Sequence, residues 1–461
     1  MLFHSTRGKD NNKTFEEVLM QGLADDGGLF MPDNWPKVNI KHLQELKTFV
    51  DVAKYIVPMF TKSSYSDDEV RDLLDNTWHN FSEEDLIKIF DINETTSVLE
   101  LFHGPTAAFK DFGLQLAAAF FNKTLQKQNK TAIVFGATSG DTGSAAIDAC
   151  KEFELIKSFI LIPEGNMSEI QRKQMTTVNK PNVFPILASG TFDDCQDIVK
   201  KGFSERTFLK EDQYLLAVNS INWVRIIGQI CYYFFASLKV NKLSNPLNFS
   251  VPTGNFGNVF ACYAASKMGM PLEKIIVAVN DNDILDRFFR NNDYSKRTVS
   301  ETISPSMDIS VASNFERLMY DFYLSRDSEA CARLYSEFPS QSIKIDYEMW
   351  QKSVDLFMSV SIDDNSTYNS MNFYKKEYDY IMDPHTAVAA DAVNNLREEL
   401  RNKTIILATA HPAKFPNALK NAGIKNDSIP QHLKEVLAKE EIAEKLNASE
   451  NSIFNYIKIN N

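Results

Sequence analysis

The sequence predicts an α/β protein in which parallel sheets carry helices on both faces. Three observations carry that prediction. Short apolar runs repeatedly give way to a turn and then to a helical stretch. The chain has 461 residues, enough at about 150 residues per domain for two or three units around a large core. Its 44% hydrophobic and 24% charged residues exclude disorder as the dominant state.

Residues 1–95 read as a mainly helical segment. Thr14 precedes FEEVLMQGLA as a helix cap would, and DDGGLFMP reads as a turn and a short strand. SSYSDDEVRDLLDNTWHNF and SEEDLIKIF both open with serine and acidic residues, so both are expected to start helices. From residue 96 the pattern changes. TAIVFG (131–136) leads through a Gly/Ser/Thr turn into SAAIDACKEF, and SFILIP (158–163) leads into SEIQRKQMTTV. LNFSVP (247–252) leads through a Gly/Asn turn into VFACYAASKMG, and KIIVAVN (274–280) and TIILATA (404–410) are two more buried strands. Residues 285–380 are polar and are expected to hold peripheral helices.

Lys plus Arg number 49 and Asp plus Glu 61, a net charge of −12 that excludes nucleic acid as the main partner. The most apolar stretch, Ile226 to Leu238, is short and interrupted by Gly228, Gln229 and Ser237, so no membrane partner is expected. The start of the chain shows no apolar targeting signal, and the five cysteines are scattered, never as CxxC; both fit a reducing, cytoplasmic setting. Those cysteines read as small buried hydrophobes. His4, His42, His79, His385 and His432 have no metal-ligand spacing, so no metal is expected.

Three constellations could carry chemistry. In LFHGPTAAFKDFG, Lys110 sits near the first turn of a helix between Phe109 and Phe112. A helix N-terminus disfavours a cation and aromatic burial disfavours any charge, so both expose the neutral amine that imine chemistry needs. The second is the 136–144 turn, GATSGDTGS, between a strand and a helix, where backbone N–H groups favour an anion. Its glycines do not fall as GxGxxG and no Gly-Lys-Ser/Thr follows, so neither a dinucleotide nor ATP is implied. The third, PTGNFGN at 252–258, is another such cradle. Two anion cradles around a desolvated lysine fit pyridoxal phosphate with an amino acid: one phosphate, one carboxylate, one Schiff base.

With these motifs on the page the chain resembles the threonine synthases, in their long microbial and fungal form. The resemblance runs through HSTRG (4–8), GLADDGGL (22–29), LFHGPTAAFKDFG, ATSGDTGSA, NSINW, PTGNFGN, DPHTAV (383–388) and TAHPAKF (409–415). It implies two parallel-sheet lobes of the fold type II pyridoxal-phosphate architecture, similar to the tryptophan synthase β subunit, with an N-terminal helical segment. Residues 1–95 would form that segment. Residues 96–240 would form the lobe with Lys110 and the substrate loop, and residues 241–461 the larger lobe with the cofactor-phosphate loop, each lobe being discontinuous.

The resemblance also implies roles. Lys110 is the Schiff-base lysine and proton shuttle. Gly254, Asn255, Phe256, Gly257 and Asn258 cradle the cofactor phosphate, and Thr409 faces the pyridine nitrogen. Thr138, Ser139 and Thr142 belong to the loop that cradles the substrate carboxylate, and Asp141 orients that loop's amides or accepts a bond from the substrate amine. The substrate phosphate is assigned to Arg225 with Asn222 and the neighbouring Asn219, a guanidinium being suited to it; Arg172 and Lys173 are weaker candidates. His103 and His411 are read as structural. The implied reaction converts O-phospho-L-homoserine and water to L-threonine and phosphate. Its alternatives are a phospho-lyase of the same family releasing 2-oxobutyrate, and a catalytically retired homologue. Monomer and homo-oligomer stay open.

Overall fold

The computed structural model describes residues 1–461 except 84, 139, 166, 339 and 426–428. Thirteen strands run along the described chain: β1 (Phe3–Ser5), β2 (Phe30–Pro32), β3 (Lys88–Asp91), β4 (Thr96–Glu100), β5 (Thr131–Ala137), β6 (Ile156–Pro163), β7 (Val183–Ser189), β8 (Gln213–Leu216), β9 (Leu247–Pro252), β10 (Leu272–Val279), β11 (Phe357–Ser361), β12 (Thr404–Ala408) and β13 (Glu444–Asn447). β1 and β2 form a small antiparallel pair. The other strands make two sheets, one of six in the order β11-β10-β9-β12-β4-β3 and one of five in the order β13-β7-β6-β5-β8. Every pairing in these two sheets is parallel except that of the edge strand β3 with β4.

The central strands are apolar runs because both of their faces are covered. β9 is buried along its whole length, and so is β12. The two sheets also exchange chain. β4 belongs to the six-stranded sheet, although the segment that follows it builds most of the smaller one, and β13 returns to the smaller sheet near the chain's end.

The helix Trp223–Asn241 is buried on every side from Trp223 to Leu238. That explains its uniform apolar character: it is a core helix, packed against the helices Phe49–Thr61, Lys110–Gln128 and Gly257–Met268. No helix among the described residues is long and apolar enough to cross a membrane. The N-terminal helices carry the caps that their serines and threonines promise. Thr14 with Glu17, Thr48 with Asp51 and Ser66 with Glu69 each form a reciprocal capping box. All five cysteines are buried and unpaired.

One expected helix is absent among the described residues. The end of the SEEDLIKIF segment runs into strand β3, Lys88–Asp91, paired with β4 from Lys88 opposite Glu100 to Asp91 opposite Ser97. Leu86 has a left-handed backbone (φ 62°) that stops any helix begun at Ser82, and long-range pairing on the sheet edge then wins over the local serine-acid signal. The 285–380 stretch does hold helices, among them Ser328–Glu337 and Asp364–Tyr378, but it also supplies β11, the far edge of the larger sheet.

Candidate active site

β9, β12 and β4 are adjacent and parallel, so their C-terminal ends open on one edge of the sheet, where ligands of open α/β sheets bind. The loop after β4 leads to Lys110, that after β12 carries Thr409 to Lys414, and that after β9 is the 253–257 turn. The first two are joined. Ala108 and Ala410 form an antiparallel bridge, Phe109 N donates to Thr409 O at 2.8 Å, and His411 N donates to Ala107 O at 3.0 Å. This pairing holds Ala107, fully buried, at a left-handed φ of 55° that a non-glycine residue rarely adopts.

Lys110 is the first residue of the helix Lys110–Gln128, and its side chain is only 13% exposed. Burial pushes its amine down to about 8; Asp141 opposes that shift, while the positive charges of Arg225 and Lys414 reinforce it. The next residue, Asp111, turns away. Its carboxylate accepts from Thr106 N (2.9 Å) and Thr106 Oγ1 (2.6 Å), and burial raises it to about 7.

The turn after β5 comes from the smaller sheet. Asp141 opens the helix Asp141–Cys150 and places Oδ2 3.9 Å from Lys110 Nζ. Its Oδ1 accepts from Lys414 Nζ at 2.7 Å and Gln171 Nε2 at 2.9 Å. Burial works against this charge, but Lys414 and Lys110 hold the carboxyl well below the usual carboxylate range. Thr138 closes the turn on itself, its Oγ1 accepting from Gly140 N (3.1 Å) and Gly143 N (2.9 Å). Thr142 is half-buried on the first helical turn. Ser139 lies outside the described residues.

The turn after β9 enters the helix Gly257–Met268, whose first N–H groups have no intrahelical acceptor. Phe256 is left-handed (φ 64°), an arrangement that turns successive N–H groups toward one point. Asn314 grips Asn255 O through its backbone N–H (3.0 Å) and Nδ2 (3.1 Å), and Ser313 Oγ donates to Asn255 Oδ1 (3.1 Å). A Cβ on Gly254 would stand 3.0 Å from Met307 Cα. The Asn258 side chain points the other way: Tyr232 and Tyr233 hydroxyls donate to its Oδ1. Asn258 therefore brings its backbone N–H to the cradle.

Arg225 is 4% exposed, so it is no surface charge. Nη1 donates to Val218 O at 3.2 Å, while Nε has no hydrogen-bond partner among the described residues. Burial lowers it to about 10. A Cβ on Gly113 of the Lys110 helix would lie 3.1 Å from Arg225 Cα, and one on Gly257 3.7 Å from the Ile226 side chain. The first turn of Trp223–Asn241 thus spans from the lysine helix to the cradle. Asn222 is engaged within the chain: it caps that helix through Val224 N (3.2 Å) and donates to Leu19 O (2.9 Å). Arg172 pairs with Glu441 and Lys173 with Glu169. His103 bonds Glu100 (2.9 Å), and burial brings His411 down to about 4, so it is neutral near pH 7.

Sequence reasoning missed Lys414, Gln171, Asn314 and Arg317. Arg317 is fully buried and donates to Asn314 Oδ1, Phe30 O and Ile221 O. Lys414 had one local signal, its place in HPAKF; the others act through partners far along the chain. The fit to pyridoxal phosphate stands on a buried amine whose hold on its proton is weakened, a cradle of N–H groups at a helix start and a buried guanidinium whose Nε has no partner among the described residues.

Residues 96–410 match the family described as pyridoxal-phosphate dependent enzyme, residues 2–78 the threonine synthase N terminus, and residues 386–457 the threonine synthase C-terminal family. The chain is 41% identical to a threonine synthase of Pseudomonas aeruginosa, over 96% of this chain and 94% of that one. It is 38% identical to one of Saccharomyces cerevisiae, over 94% and 93%. A solved structure of pyridoxal-phosphate-bound threonine synthase from Brucella melitensis superposes with a TM-score of 0.95 at 35% identity, covering 99% of each chain. The yeast threonine synthase structure gives 0.92 at 35% identity, covering 100% of this chain and 98% of that one.

Proposed function

The chain belongs to the threonine synthase family of pyridoxal-phosphate-dependent enzymes, and from that premise we propose how its own residues perform the reaction. The reaction is conversion of O-phospho-L-homoserine and water to L-threonine and phosphate. Pyridoxal phosphate, when bound, supplies an aldehyde for an amine and a ring that withdraws electrons from the substrate's Cα.

Lys110 is the residue that captures the aldehyde. In its unprotonated form Nζ takes the proton from Cα, hands it on, and is then free to take one from Cβ; phosphate leaves Cγ, protons return to Cγ and Cα, and water adds its oxygen at Cβ. The N–H groups of Gly254, Asn255, Phe256, Gly257 and Asn258 would hold the cofactor phosphate, and Thr409 would offer the ring nitrogen an uncharged hydroxyl. The 138–144 turn, with Thr138, Ser139 and Thr142, binds the substrate carboxylate, while Asp141 orients the turn's amides or accepts from the substrate amine. Thr138 acts by shaping that turn. Arg225 is the cation for the substrate phosphate, and Asn222 positions it by capping the helix that bears it. The observation that carries this reading is the buried Lys110 amine, brought down to about 8 at the edge where three loops converge.

Lys110→Ala is expected to lose all turnover and the visible absorbance of the bound cofactor. Product analysis with O-phosphohomoserine is expected to show threonine; 2-oxobutyrate in its place would convert the reading to the phospho-lyase.

A further inference from the structure

Lys414 is the second lysine of this centre, and the reaction as derived above leaves it without a task. Its side chain is completely buried. Nζ has two partners on opposite sides of the site: Asp141 Oδ1 at 2.7 Å, from the 138–144 turn, and Thr106 O at 2.8 Å, from the loop that delivers Lys110. The same carbonyl accepts from Gln174 Nε2 at 2.9 Å, and the same Asp141 oxygen accepts from Gln171 Nε2 at 2.9 Å. Asp141 thus turns its crowded oxygen to Lys414 and leaves the other at 3.9 Å from Lys110.

We propose that Lys414 is a positioning residue for Lys110: it engages Asp141 so that the acid does not close a full ion pair on the Lys110 amine, and it clasps the lysine loop to the substrate turn. The physical need is specific. Asp141 carries a buried charge beside an amine that must be neutral to attack. Left alone with that amine, the carboxylate would draw a proton onto it. Lys414 supplies the counter-charge instead, and its own field further disfavours a proton on Lys110. The charged groups facing Lys110 are Asp141, Arg225 and Lys414, from three different segments; the Asp111 carboxyl is turned onto Thr106. The inference rests on Lys110 being the reactive lysine.

The test reads the Lys110 amine directly and needs no turnover. The full chain, freed of cofactor, is trace-labelled with acetic anhydride across a pH series, and Lys110 acetylation is quantified by peptide mass mapping. Lys414→Met and Lys414→Gln, the second keeping hydrogen-bond donors without charge, are expected to move the Lys110 midpoint to higher pH by on the order of one unit. Lys414→Arg, which keeps the charge, is expected to restore the wild-type midpoint. Asp141→Asn is expected to move it to lower pH, and Lys414→Met/Asp141→Asn to cancel the alkaline shift. An unmoved or acid-shifted midpoint in both neutral variants overturns the proposal. If neither neutral variant folds, an unmoved midpoint in Asp141→Asn overturns it. Failure here leaves the assignment of Lys110 standing, because that assignment is tested separately, by whether the cofactor is found on Lys110.

Discussion

The turn after β9 and the turn after β5 share one plan, strand into glycine turn into helix, yet they are fixed by different forces. At the β9 turn the fixing contacts on Asn255 are uncharged, made by Asn314 and Ser313, and Arg317 acts behind them through Asn314. At the β5 turn the central contact is charge, Asp141 between Lys414 and Lys110. An uncharged cradle keeps the same donors in place whatever the protonation of its neighbours, which suits a phosphate held through every turnover. A turn fixed by charge is coupled to each proton that Lys110 gains or loses. The lesson is that similar glycine motifs can hold an anion passively or be linked to the proton inventory of the site.

The largest effect that would sharpen this contrast is expected from Gly254→Ala. Its Cβ would stand 3.0 Å from Met307 Cα and 3.2 Å from Ser306 O, both backbone atoms. Overpacking of about 1–3 kcal/mol, if it falls on the bound form, corresponds to a roughly fivefold to 150-fold fall in cofactor affinity, read by equilibrium titration with pyridoxal phosphate. Gly143→Ala disturbs the other turn, where Cβ would meet the Thr138 methyl at 2.2 Å and Met175 Sδ at 2.8 Å. Thr138 is short, branched and held by its bonds to Gly140 N and Gly143 N, so the turn itself must move, and the expected result is a several-fold or larger rise in KM for the phosphorylated substrate with cofactor retained. Loss of cofactor from Gly143→Ala at the level of Gly254→Ala would break the division of labour.

A smaller, pH-dependent effect is expected on the charged side. The Asp111 carboxyl is raised from 3.8 to about 7 in the folded chain. A carboxyl with a raised folded value binds protons more tightly folded than unfolded, so stability declines as pH rises from 3.8 through about 7. Asp111→Asn should flatten that decline in denaturant unfolding measured across the window, while Gly254→Ala should leave its slope unchanged. The smallest effect is expected from Asn258→Asp. The two tyrosine bonds to the side-chain oxygen persist and a buried unpartnered Nδ2 disappears, but a negative charge arrives beside the cradle. Cofactor affinity should fall by roughly twofold to fivefold, and less at high salt.

Much of this arrangement was legible in the residues, for identifiable reasons. β5, β9 and β10 announce themselves because strands covered on both faces must be apolar throughout and must end where a turn begins. Lys110 was legible because its flanks are aromatic and its helix starts beside it. Edge strands were not. β13, Glu444–Asn447, is mostly exposed and carries no apolar run, and β3 follows closely on a serine and three acids that imitate a helix start. The supports of the site were hidden for another reason. Lys414, Gln171 and Arg317 act on partners distant in sequence, and a buried cation in a short turn leaves no periodic trace.

The central claim is a buried amine at position 110, its proton affinity lowered by burial, that captures the cofactor. The most direct measurement is borohydride reduction of the purified, cofactor-loaded protein followed by peptide mass mapping. The predicted result is a single pyridoxyl-phosphate adduct on Lys110 and none on Lys414. An adduct on Lys414, on any other lysine, or on no residue contradicts it.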